Sequence, residues 1–233
     1  MAQFEAYTWQ HVAPLLVFAG VGWWAIRAGR RSAPARSTRI GLILALVTWL
    51  PMLIGSVLYL VNGEYDVREH LPLYLCRIVA WTMPLAIWYR SRYWLGIFYF
   101  WVLAGTLQAN FTPDLSEGFP NFYYFRYWFL HAGLVVTALY AVLVFRIRVT
   151  WRDLVRALLW AQLYLIGIHL INLLLDSNYS YTVEKPPGPS ILDLFGPWPW
   201  YILGGEALMA VLFVLLLVPF LVGRKRSGPA ASG

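Results

Sequence analysis

Apolar residues are gathered into seven runs, at about 10–28, 38–61, 72–90, 93–111, 122–145, 153–176 and 198–222, with short polar segments between them. A helix needs roughly 20 predominantly apolar residues to cross the hydrocarbon of a bilayer, and each run is near that length. Together they leave no room for a soluble domain. The pattern predicts an all-α polytopic membrane protein: a single seven-transmembrane-helix bundle over 1–222, followed by a flexible basic tail over 223–233.

Charge orients that bundle. Only 12% of the residues are charged and 60% are hydrophobic, against about 25% charged in a typical soluble domain. Of the 18 basic residues, 14 fall in 27–39, 90–92, 146–156 and 223–233, while nine of the eleven acids fall in the alternate segments. Lys and Arg are retained on the cytoplasmic side, so the N-terminus is expected outside and the C-terminus in the cytoplasm. The first basic residue, Arg27, follows the first apolar run. A secretory signal has its basic region first, so helix 1 is expected to stay in place. The net charge of +7 is a product of this topology; no basic face interleaved with aromatics lies outside the spans, which argues against nucleic-acid binding. The single cysteine excludes an intrachain disulfide and a thiolate metal cluster. No metal site and no cofactor is expected.

Ionisable groups at membrane depth are costly and mark functional sites by default. With helices 3, 5 and 7 running inward and 4 and 6 outward, Cys76, Arg77, Gln108, Asn110, Arg126, His131, His169, Asn172, Asp176 and Glu206 all fall toward the outer side. At 1.5 Å per residue most lie within about 14 Å of the outer boundary; Gln162 alone is clearly in the inner half. Gln162, His169, Asn172 and Asp176 share one stripe of helix 6, and Tyr124, Tyr127 and His131 share a face of helix 5. Gly204 and Gly205 before Glu206 allow close helix approach, which would turn Glu206 into the bundle. A polar chamber opening toward the outer leaflet is the expected result.

Its chemistry can be read from residue types. A thiol attacks an ester as thiolate, and an adjacent cation favours that form. Arg77 beside Cys76 can serve so, or can bind a lipid phosphate bidentately; Arg126 is a second candidate for the headgroup. His131 or His169 can take and return the thiol proton, and Asn172 or Gln108 can donate to an oxyanion. The structural reading of each stands beside these roles. A lone cysteine in an apolar helix is usually a packing residue, His131 and His169 can each bond across helices, and Glu206 can pair with Arg77 or Arg126.

The strings LPLYLC, AGTLQANFTPDL with GFPNF, FLHAG, NLLLDSNY and KPPGPSILDLFGPWPWYIL, followed by Glu206, resemble the bacterial YwaF family of integral membrane proteins over about residues 5–220. That family is similar to eukaryotic multi-pass proteins that remodel ether phospholipids by acyl transfer, and more distantly to androgen-induced membrane hydrolases with a threonine nucleophile. The resemblance implies a multi-pass protein of the bacterial inner membrane acting on phospholipids, with Cys76 matching the proposed acyl-carrying cysteine and His131 its partner histidine. Many members carry His at the position of Tyr74 and an acid at that of Arg77. A non-enzymatic phospholipid-binding or transport protein is the alternative, although polar groups confined to one half leave a transporter no exit path. A retinal Schiff base is excluded, since Lys185 and Lys225 both lie outside the spans.

Overall fold

A computed structural model describes residues 3–186, 188 and 190–225. Each apolar run seeds a helix: α1 Trp9–Arg30, α2 Pro34–Val61, α3 Leu75–Trp88, α4 Arg92–Phe100, α5 Phe122–Val144, α6 Trp151–Leu175 and α7 Trp200–Lys225. Most of the expected tail lies outside the described residues, and its first three continue α7. Five helices, α1, α2, α5, α6 and α7, are long and apolar enough to cross a membrane.

The third and fourth runs behave differently. α3 has 14 residues and α2 beside it has 28, which at 1.5 Å per residue makes them about 21 Å and 42 Å long. Pro72 offers no amide to a helix and restricts Leu71 before it; the chain stays irregular until Leu75. α4 is regular for only nine residues, then widens into a π-turn at Trp101–Gly105 and tightens into a 3₁₀ turn at Thr106–Asn110. Gly105, a weak helix former, stands at that join.

Helix-to-helix turns set the two ends of the bundle apart. At the arginine-rich end, Arg30 Nε donates to the Leu143 carbonyl, the Arg90 guanidinium lies 4.4 Å from the Phe145 ring centre, and Arg92 bonds the Arg148 carbonyl and Asp153. The α1–α2, α3–α4 and α5–α6 turns therefore meet there. The opposite, loop-rich end gathers the long connections 62–74, 111–121 and 176–199: Phe4 N donates to the Ser116 carbonyl, and the Tyr179 hydroxyl reaches the Val67 carbonyl at 2.7 Å. α5 is the most buried of the five long helices and packs against α1, α2, α3 and α4. Its small positions admit neighbours: Gly133 faces Thr48 of α2, and Ala138 and Ala141 lie in the core with Met83 and Ile87 of α3. α7 closes the other side, packing Phe213 at a tilt against Phe100 and Phe220 edge-on against Tyr99.

Candidate functional site

Irregular backbone is concentrated at the loop-rich end, in 62–74, 101–110 and 177–182. Backbone of that kind survives in an apolar bundle only where protein groups satisfy it. Here the supply is explicit. Tyr179 is fully buried; its hydroxyl donates to the Val67 carbonyl and accepts from Leu71 N at 3.0 Å. Asn172 takes the other side of the same residue, accepting from Tyr179 N and donating to its carbonyl, both at 2.8 Å. The Tyr164 hydroxyl, two turns deeper on α6, bonds the Leu73 carbonyl and the Ser180 hydroxyl, so it ties both loops together. Ser180 and Tyr181 sit at φ 54° and 57°, a left-handed conformation that costs non-glycine residues about 1–3 kcal/mol each and clusters at functional sites. Burial pushes the Tyr179 and Tyr181 hydroxyls up to about 12, so both stay protonated donors at neutral pH.

Beneath this cover lies the thiol. Cys76 is the second residue of α3, half-buried and packed against the core, and no side chain caps that helix. The Arg77 guanidinium lies 5.0 Å from the Tyr74 ring centre and donates to the Glu69 and Leu71 carbonyls. His131, half-buried on α5, places Nδ1 3.0 Å from the Tyr127 carbonyl. A carbonyl only accepts, so Nδ1 carries the hydrogen and Nε2 keeps a free lone pair, the form a base requires. Arg126, also on α5, lies 5.6 Å from the Tyr59 ring centre and 4.9 Å from the Tyr123 ring centre. Among the described residues neither Arg77 nor Arg126 has a carboxylate partner.

The remaining expected positions lie elsewhere or are occupied. All of the Asn172 amide is spent on the 177–182 loop, including Nδ2 to Thr182 Oγ1 at 2.8 Å and Oδ1 from Ser177 at 2.9 Å. His169 Nδ1 meets the same Thr182 hydroxyl at 3.3 Å, which makes it a second tether of that loop. Gln108 is exposed and turns its amide back to the Ala104 carbonyl. Asp176 caps α6 and faces Arg68 at 3.7 Å on the surface. Glu206 is half-buried on the α7 stripe that carries Phe213 and Leu217, and pairs with neither Arg77 nor Arg126. The glycines before it serve the loop: Phe195 lies against Gly204 and Leu192 against Gly205.

The sequence profile of the TMEM164 family, a multi-pass membrane family, matches residues 6–217, from before α1 into the last turns of α7. The chain belongs to the TMEM164 family. No curated protein and no solved structure matches it. For this TMEM164-family protein the long apolar helices are therefore read as membrane helices.

Sequence reasoning placed Tyr127 on the His131 face and noted Tyr74 as a departure from the family, but gave neither a part in the site and missed Tyr164 and Tyr179. Tyr74, Tyr127 and Tyr164 all lie within electrostatic range of Cys76 or its neighbour Arg77. The Tyr74 ring packs at 5.2 Å on Tyr179 and 6.2 Å on Tyr181. One signal was available. Residues 177–182, SNYSYT, pair two aromatics with four small polar residues directly after a helix, a composition better suited to a loop folded back into protein than to one lying in solvent.

Proposed function

We propose that this chain is a seven-span protein of the bacterial inner membrane, N-terminus outside, that takes phospholipid at the loop-rich end and moves an acyl chain through Cys76. The resemblance to the YwaF family and its acyl-transferring relatives led to that reading. The observation that carries it is the setting of the thiol at the uncapped start of α3, next in sequence to Arg77, with the His131 imidazole on α5 held through Nδ1 so that Nε2 is the basic nitrogen. Helix N-termini and neighbouring cations both stabilise a thiolate. Arg77 and Arg126, free of carboxylates, suit the lipid phosphate. His131 Nε2 removes the thiol proton, directly or through one water. The sulfur then attacks the ester carbonyl, and the oxyanion is met by first-turn amides of α3. The C–O bond breaks, the leaving alcohol takes the proton from His131, and a thioester forms on Cys76. A second lipid hydroxyl, or water, repeats the sequence in reverse: transfer in the first case, hydrolysis in the second.

The decisive experiment is transfer of a labelled acyl chain between defined phospholipids by protein reconstituted in liposomes, with intact-mass detection of an acyl adduct. Cys76→Ser should abolish both signals while the protein remains folded. His131→Ala should lose activity to a similar degree, because a nucleophile and its base act as a unit. Full transfer by Cys76→Ser would overturn the thioester route and favour non-enzymatic lipid binding.

A further inference from the structure

A second feature faces away from the thiol. Between α3 and α6, with α4 as its floor, runs a lateral groove of about 730 Å³. Ile78, Thr82, Leu85 and Tyr89 form its α3 wall, one stripe of that helix. Cys76 is two residues from Ile78, about 200° around the helix, so the groove is separate from the thiol's face. From Ile78 to Tyr89 the wall is about 16 Å long at 1.5 Å per residue, close to the roughly 15 Å of one leaflet's hydrocarbon.

The lining's main hydrogen-bonding groups are already engaged. Thr82 donates to the Ile78 carbonyl, the Ser91 hydroxyl accepts from Trp94 N, Trp101 Nε1 donates to the Ala157 carbonyl, and Tyr164 is held by the loops. What those walls offer an occupant is hydrocarbon contact. Charge appears only at the mouth, beside the α3–α4 turn, where Arg90 itself lays its guanidinium on the Phe145 ring at the end of α5. Arg92 follows, bound to the Arg148 carbonyl, and Arg148 and Arg152 are exposed nearby in sequence and fold. Asp153 is the one carboxylate there; Arg92 and Arg156 share it. The mouth therefore keeps an excess of positive charge.

We infer that this groove binds one acyl chain of an anionic phospholipid, with the lipid phosphate at the arginine-rich mouth and the chain running toward Tyr164. A phosphate meets the uncompensated arginines, and a single chain matches the length and the apolar walls. The site does not depend on acyl transfer at Cys76, and its test reads no transfer.

The test uses the full chain in phosphatidylcholine vesicles carrying a trace of photoactivatable phosphatidylglycerol or of phosphatidylcholine with the same diazirine chain, with crosslinked peptides mapped by mass spectrometry. Phosphatidylglycerol should label α3, α4 and α6 at the groove, and phosphatidylcholine should not concentrate there. Thr82→Trp, at an exposed position, should fill the groove and remove most of that labelling. Arg148→Gln and Arg152→Gln should each reduce the phosphatidylglycerol preference about fivefold with thermal unfolding unchanged. Equal labelling by both lipids, labelling indifferent to Thr82→Trp, or competition by free inorganic phosphate would overturn the assignment.

Discussion

The two ends of the bundle handle buried polarity in opposite ways. At the arginine-rich end a single carboxylate, Asp153, 1% exposed, is saturated: it accepts from Thr150 N and Oγ1 and meets Arg92 at 3.3 Å and Arg156 at 3.4 Å. Cations there are tied to a helix start, and the chain turns in a few residues. At the loop-rich end the buried acceptors and donors are neutral, Asn172 and the tyrosines, and they hold long loops in place. The two half-buried arginines of that end have backbone carbonyls and aromatic rings for company instead of a carboxylate. One end ties Arg92 and Arg156 into the fold through a buried carboxylate and leaves its other described arginines exposed at the surface. The other holds two cations half-buried with no carboxylate partner among the described residues.

That contrast is open to direct attack. Asn172→Leu keeps side-chain volume but strands the buried Tyr179 amide and carbonyl. Each unsatisfied group costs about 1–3 kcal/mol, so a loss of about 4 kcal/mol is expected in thermal or denaturant unfolding in detergent. A neutral result would mean that the loop is not anchored there. Asp153→Ala removes the cap of α6 and leaves two arginines uncompensated. Both are half-exposed, so about 2–3 kcal/mol is expected, below the figure for a fully buried pair. Arg126→Gln should do the reverse: stability unchanged or slightly raised, and binding of phospholipid weakened in the liposome assay. A destabilised Arg126→Gln would show that this arginine is structural and that the two ends do not differ.

The smallest effect concerns pH. A hydrogen bond from the Ser190 backbone, with Lys185 3.3 Å away, holds the exposed Asp193 carboxyl below its usual range. Its folded value is depressed, so its contribution is complete above the ordinary carboxylate range and fades as pH falls through the lowered value. Protection of the 190–196 amides against hydrogen exchange, taken relative to intrinsic rates at each pH, should fall on acidification, and Asp193→Asn should remove that dependence. Protection that is flat with pH would place no value on the Ser190–Asp193 capping box.

The helices were legible because a 20-residue apolar run has few alternatives in a membrane. The clustering of Arg segments at one end and of the long connections at the other was legible for a related reason, since turns between antiparallel helices must alternate. Interruption of the third and fourth runs was not. Pro72 and Gly105 permit a break, but whether a break occurs depends on distant partners: Tyr179 and Tyr164 lie 108 and 91 residues from the Leu71 and Leu73 groups they bond, and Ala157 lies 56 residues from Trp101. Asn172 illustrates the same limit at the site. Its phase on α6 placed it correctly on an inward stripe, and its buried position was foreseeable. Its role was set by a loop whose path no periodicity reports. Cys76 and His131 were singled out through resemblance and polarity, whereas tyrosines such as Tyr164 and Tyr179 have an amphipathic character equally at home in an interfacial belt.

The unequal lengths of α2 and α3 carry a consequence for where such a protein can reside. A helix about 42 Å long must tilt or protrude from a hydrocarbon layer of about 30 Å, whereas one of about 21 Å falls short of it. Lipids beside α3 must thin or the loops above it must settle inward, each at fractions of a kcal/mol per Å of mismatch. The thiol is fixed to the top of the short helix, so its height relative to the lipid esters is set by the thickness of the host bilayer. Chain length and saturation of the surrounding lipids thereby become a control on which esters come level with Cys76.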